Sequence, residues 1–76
     1  MIDVLFFGRM ADVAGQRRMT MALPAQGMTL VVLRDSLFDA GTRPAVRMSV
    51  NQVQMTADQT LRDGDEVAFF SLFSGG

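Results

Sequence analysis

Cysteine, histidine, lysine, tryptophan and tyrosine are all missing from this sequence, and each absence removes a class of chemistry. Without cysteine or histidine there is no thiolate or imidazole nucleophile, no disulfide and no zinc ligand set. With no lysine, the basic side chains are Arg9, Arg17, Arg18, Arg34, Arg43, Arg47 and Arg62, and the only amine is the N-terminus. These arginines are scattered and the formal net charge is −1, so no electrostatic footprint for nucleic acid appears. No run approaches the roughly 18 consecutive apolar residues that a membrane helix needs. The opening stretch from Met1 to Phe7 also has no basic flank or cleavage site. No membrane or export segment is therefore expected, and the cytoplasm is the default location.

What remains is the composition of an ordinary folded domain: 76 residues, 49% hydrophobic and 20% charged. A chain of this length builds one core. Met1 to Phe7 is apolar and rich in β-branched and aromatic residues, which predicts a strand. Its alternation puts Ile2, Val4 and Phe6 on one face and Asp3, Leu5 and Phe7 on the other, more open one. A helical turn over Arg9 to Ala14 ends at Gly15, and Gln16 to Leu23 offers a second strand antiparallel to the first. Thr29 is placed to cap a helix from about Leu30 to Ala40, stopped at Gly41, whose stripe Leu30, Leu33, Leu37 and Ala40 needs a sheet to pack against. Arg47 to Val50 and Val53 to Met55 read as strands around an Asn51-Gln52 turn, and Glu66 to Phe70 as the last strand after Asp63-Gly64-Asp65. The predicted fold is α+β: a mixed sheet of about five strands with one main helix across one face, the order of the ubiquitin-like β-grasp. Residues 1–70 form the domain and 71–76 a flexible C-terminal tail.

Chemistry has few places to reside. The carboxylates of Asp63, Asp65 and Glu66 flank a glycine before a strand and read as turn chemistry. The other reactive group is the α-carboxylate of Gly76, preceded by Gly75, with nothing in the sequence after it. A carboxylate that is to be activated as an acyl-adenylate must reach the α-phosphate of ATP inside a partner enzyme. Two residues without Cβ thread a narrow channel and adopt whatever dihedrals it imposes. The competing reading is a frayed chain end with no role.

Three stretches resemble the family of molybdopterin synthase small subunits: Met1-Ile2-Asp3-Val4-Leu5-Phe6-Phe7-Gly8, then Val50-Asn51-Gln52, then Leu61-Arg62-Asp63-Gly64-Asp65-Glu66-Val67-Ala68-Phe69-Phe70 running on to Ser74-Gly75-Gly76. The resemblance implies that Gly76 is adenylated by an adenylyltransferase resembling the ubiquitin-activating enzymes. It is then converted to a thiocarboxylate that donates sulfur to a cyclic pyranopterin precursor. It further implies a large catalytic subunit, in a heterotetramer, that receives the tail residues Leu72, Phe73, Ser74 and Gly75. The chain would thus be a sulfur-donating cosubstrate and not a catalyst alone. No metal or cofactor would be held permanently, and ATP would be used by the activating partner. The sequence departs from the family at Ser71, Leu72 and Phe73, where prolines are usual, so the tail is expected to be less stiff and more apolar.

If the helix covers Val4, Phe6, Val67 and Phe69, then Leu5, Phe7, Ala68 and Phe70 form an apolar patch on the opposite face, expected to dock both partners. Three alternatives share these features: a sulfur carrier for thiamine synthesis, a ubiquitin-like modifier joined to target lysines through Gly76, and a β-grasp binding module with an incidental tail.

Overall fold

In the computed structural model, which describes residues 1–71, the sheet order places the first and last strands side by side at its centre. The elements are β1 (Ile2–Phe6), α1 (Arg9–Ala14), β2 (Arg18–Met21), α2 (Leu30–Leu37), a 3-10 turn at Arg43–Ala45, β3 (Arg47–Val50), β4 (Val53–Met55) and β5 (Glu66–Phe70). Sheet order is β2-β1-β5-β3-β4. β1 runs parallel to β5 with Val4 beside Val67 and Phe6 beside Phe69, while β2 and β3 flank this pair antiparallel. The expected mixed five-strand sheet with a helix on one face is the fold observed.

The period-2 alternation fixes which face is inside. Val4, Val67 and Phe69 have no exposed surface, and Ile2 and Phe6 almost none. Against them pack Leu30 and Leu33 of α2, Met10 of α1, and Phe38, Val46 and Leu61 from the connections. Phe6, Phe38 and Phe69 form an aromatic cluster, with Phe38 edge-on to Phe69 at 5.3 Å between centroids and Phe6 stacked on Phe69 at 5.9 Å.

The main helix is shorter than its apolar stripe suggests. It ends at Leu37 because Phe38 adopts an extended backbone, which turns its ring into the core. Leu37 is half-buried, whereas Ala40, the last position of the predicted stripe, is exposed. Arg43 secures this ending: its guanidinium donates to the carbonyls of Phe38 at 2.8 Å and Asp35 at 3.0 Å. Carbonyls at a helix C-terminus otherwise lack partners.

At the other end of α2, Thr29 caps as expected, its hydroxyl accepting from the Val32 N–H at 3.3 Å. A second cap comes from far along the chain. Asp58 accepts from the N–H groups of Val31 at 2.9 Å and Gln59 at 2.8 Å. The Val31 N–H chiefly, with that of Gln59, holds the Asp58 carboxyl below the usual aspartate range. Asp39 is lowered too, by the hydroxyl and then the backbone N–H of Thr42. A carboxylate depressed by folding contributes stability that is fully present above its unfolded pKa and is lost as pH falls through its folded value. Asp58→Ala should accordingly lower Tm at neutral pH, with the gap to the parent closing as both are taken into acid below the folded pKa. Thermal melts across that range check this; an equal gap at neutral and acid pH would assign the loss to packing instead.

Candidate functional site

Because β1 and β5 are parallel, both end at the same pole of the sheet, and that pole is where residues 72–76 begin. Phe7 follows β1 there and its N–H donates to the Phe69 carbonyl at 3.0 Å. Ser71, assigned to the tail by the sequence, is buried at 8% exposure, with the inward parity of Val67 and Phe69. Leu72, Phe73, Ser74, Gly75 and Gly76 lie outside the described residues.

The face of the sheet opposite α2 carries the residues read as a docking patch. Leu5 and Ala68 are cross-strand neighbours, with Arg18 beyond Leu5 and Ser49 beyond Ala68. Phe70 is paired with Arg47 on the same face. Exposure is uneven. Phe7 is 53% exposed and Leu5 and Phe70 are half-buried, but Ala68 is buried at 7%. A methyl group between larger neighbours on adjacent strands presents little surface, so Ala68 contributes a flat floor and not an anchor. The accessible apolar surface is that of Leu5, Phe7 and Phe70.

Charges border this surface. Arg18 pairs with Asp3 at 3.2 Å on the exposed sheet face, a contact worth little by itself. Arg47 donates to the Pro44 carbonyl at 3.1 Å. Beside Leu5 and Phe7, α1 and the residue before β2 add Ala11, Asp12 and Arg17, closing a hollow of about 370 Å³ next to the tail root. The sequence did not single out these three positions. They come together because Gly8, at φ 54°, turns the chain from β1 into α1, and Gly15, in the left-handed region at φ 74°, turns it from α1 toward β2.

The opposite pole holds the acidic turn, and its geometry is that of a brace. Gly64 sits at φ 89°. Asp65 accepts from the Arg62 N–H at 2.8 Å and from the Asn51 side-chain amide at 3.0 Å, and the Asn51 side-chain carbonyl accepts from the Glu66 N–H at 3.0 Å. Asn51 and Gln52 both have positive φ, 51° and 70°, as a two-residue hairpin turn with the sheet's twist requires. Asp63 pairs with the Met1 ammonium. Asp3 and Glu66, cross-strand neighbours, line a hollow there with Asn51, Gln52 and Gly64, and among the described residues no group of carboxylates is placed to hold a metal.

The described chain thus reaches Ser71 beside an apolar face bordered by Arg17, Arg18 and Arg47. The ThiS family model matches residues 4–76. The chain belongs to the ThiS family. Among its relatives is the molybdopterin synthase sulfur carrier subunit of Escherichia coli (strain K12), 35% identical over 83 aligned positions that cover the whole of both chains. A solved structure, that of SAMP1 from Haloferax volcanii, superposes with a TM-score of 0.69 over 99% of this chain and 98% of its own, at 20% identity. That likeness bears on the fold alone.

Proposed function

We propose that the chain is the sulfur-carrier small subunit of a molybdopterin synthase, working through the carboxylate of Gly76. The observation that carries this reading is the full-length, 35% identity to a molybdopterin synthase sulfur carrier subunit, with Gly75 and Gly76 inside the stretch that the ThiS family model matches. In the proposed cycle a Gly76 carboxylate oxygen attacks the α-phosphorus of ATP held by the activating adenylyltransferase, and pyrophosphate leaves. A sulfur donor then displaces AMP, leaving a thiocarboxylate whose sulfur passes to the cyclic pyranopterin precursor within the large subunit. Two such transfers complete a dithiolene.

The chain's own part is to deliver the tail. In this reading the chain is a cosubstrate, and the catalytic groups belong to the large subunit in a cytoplasmic heterotetramer. The open face supplies the seat: Leu5, Phe7 and Phe70 as apolar contacts, Ala68 as floor, and Leu72, Phe73, Ser74 and Gly75 entering the partner's channel. Of these, Phe7 has the exposure and size of an anchor. Phe7→Ser should weaken binding to the large subunit by about 1–3 kcal/mol while leaving Tm nearly unchanged, as titration calorimetry alongside thermal melts would show. Unchanged affinity would move the interface to another face.

A second reading is favoured by the family match itself, since a carrier for thiamine synthesis would share the fold, the tail and the adenylation step. Reconstitution separates the two. The thiocarboxylated chain is mixed with the large subunit and the cyclic precursor, and dithiolene product is measured. Product formed in proportion to added carrier supports the molybdopterin reading. Sulfur that reaches only a thiazole-forming system supports the thiamine one, and no transfer to either sinks both.

A further inference from the structure

The hollow beside the tail root is built for an apolar occupant, and the sequence carries one within reach. Its floor is Leu5, Phe7 and Ala11, and Asp12 and Arg17 stand at the border. Phe7 leaves more than half its surface to solvent at 53%, on a domain whose other described aromatic rings are buried or half-buried. From Ser71 the chain continues as Leu72-Phe73. Adjacent strands lie about 4.8 Å apart, and two extended residues span about 7 Å. The strand carrying Leu5 and leading into Phe7 is the immediate neighbour of β5. A chain keeping the parity of Ala68 and Phe70 would bring Leu72 out on the open face next to Phe7.

We propose that in the free protein the hollow is occupied by the chain's own Leu72 and Phe73, parking the tail across the end of β1 until a partner displaces it. The residues of the tail explain why this chain would do so. Two large apolar side chains stand where a proline would instead hold the backbone extended and deny it a turn. Burying them removes apolar surface on both sides of the contact from water. The gain is of the same order as the entropy lost in fixing a few residues, so the contact is reversible, as a tail that must later enter a channel requires. Arg17 and Asp12 at the border leave the contact open to water on one side. The same face would then be covered in the free chain and bared on docking.

The contact is read in the free, full-length protein by NMR, so its outcome does not depend on whether Gly76 carries sulfur. Nuclear Overhauser contacts are expected from the Phe73 ring to the methyl groups of Leu5 and Ala11. In the double variant L72S, F73S the resonances of Leu5, Phe7 and Ala11 should shift while those of Leu33 and Val50 stay in place. Binding of a fluorescent apolar dye should rise several-fold. Absent contacts together with unshifted hollow resonances would overturn the proposal. So would contacts that vanish on dilution, which would make the occupant a second copy of the chain.

Discussion

Phe69→Ala should come close to unfolding this protein. Its side chain is fully buried and touches both other rings of the aromatic cluster, Phe6 at 5.9 Å and Phe38 at 5.3 Å. It also sits on a central strand with neighbours on both sides, so the surrounding structure cannot collapse into the space it leaves. Removing a buried phenylalanine in such a setting costs about 3–5 kcal/mol. A chain of this length has only about 4–11 kcal/mol of total stability, so the loss consumes about a quarter of it or more. At about 4–8 °C of Tm per kcal/mol for small domains, a melting transition lowered by more than about 12 °C is expected. Val53→Ser, on an exposed edge strand at 63%, should change stability by no more than about 0.5 kcal/mol. Urea titration of the two variants beside the parent decides the matter; comparable losses would mean that the core is not organised around the aromatic cluster.

Removing Gly76 should do the reverse, abolishing function while sparing the fold. No core residue of the described structure lies beyond Phe69, so the variant should melt with the parent. Its terminal carboxylate, however, would stop one residue short of the activating enzyme's nucleotide, and adenylation depends on placing the reacting atoms within about 3–3.5 Å of each other. Loss of sulfur transfer by at least about 100-fold is expected. Gly75→Val should fall between, because a β-branched side chain narrows the dihedral freedom that threading requires. ATP–pyrophosphate exchange with the activating enzyme measures both. Full exchange by the shortened chain would mean that the terminus is not the working group.

Much of the fold was legible because two strands carry their burial pattern openly. Ile2–Phe6 and Glu66–Phe70 alternate so regularly that periodicity alone assigns their covered face, and the turn at Asp63-Gly64-Asp65 is marked by its composition. What escaped depended on contacts distant in sequence. Asp58 caps α2 from 27 residues away. The early end of α2 rests on Arg43 reaching back to Phe38 and Asp35, where the apolar spacing alone carried the helix on to Ala40. Met10, Phe38 and Val46 belong to short or irregular segments whose periodicity is too brief to show a buried side.

The site was legible in a different sense. Alternation placed Leu5, Phe7, Ala68 and Phe70 on one face but could not give their exposure, which depends on neighbours across the sheet, and Ala68 proved to be floor. The hollow formed with Ala11, Asp12 and Arg17 has no sequence signature, since it arises from how α1 folds back. The role of Gly76 was suggested by the absence of cysteine and histidine and by the freedom of a glycine pair, and a resemblance over the rest of the chain gave it a chemistry.

The central claim, that Gly76 carries sulfur, is tested most directly by the intact mass of the protein after incubation with the activating enzyme, ATP and a sulfur donor. The account predicts a species heavier than the plain chain by the difference between one sulfur and one oxygen atom, sensitive to alkylation and absent when Gly76 is removed. Only the unmodified mass, with the same enzyme shown to be active on another carrier, would contradict it.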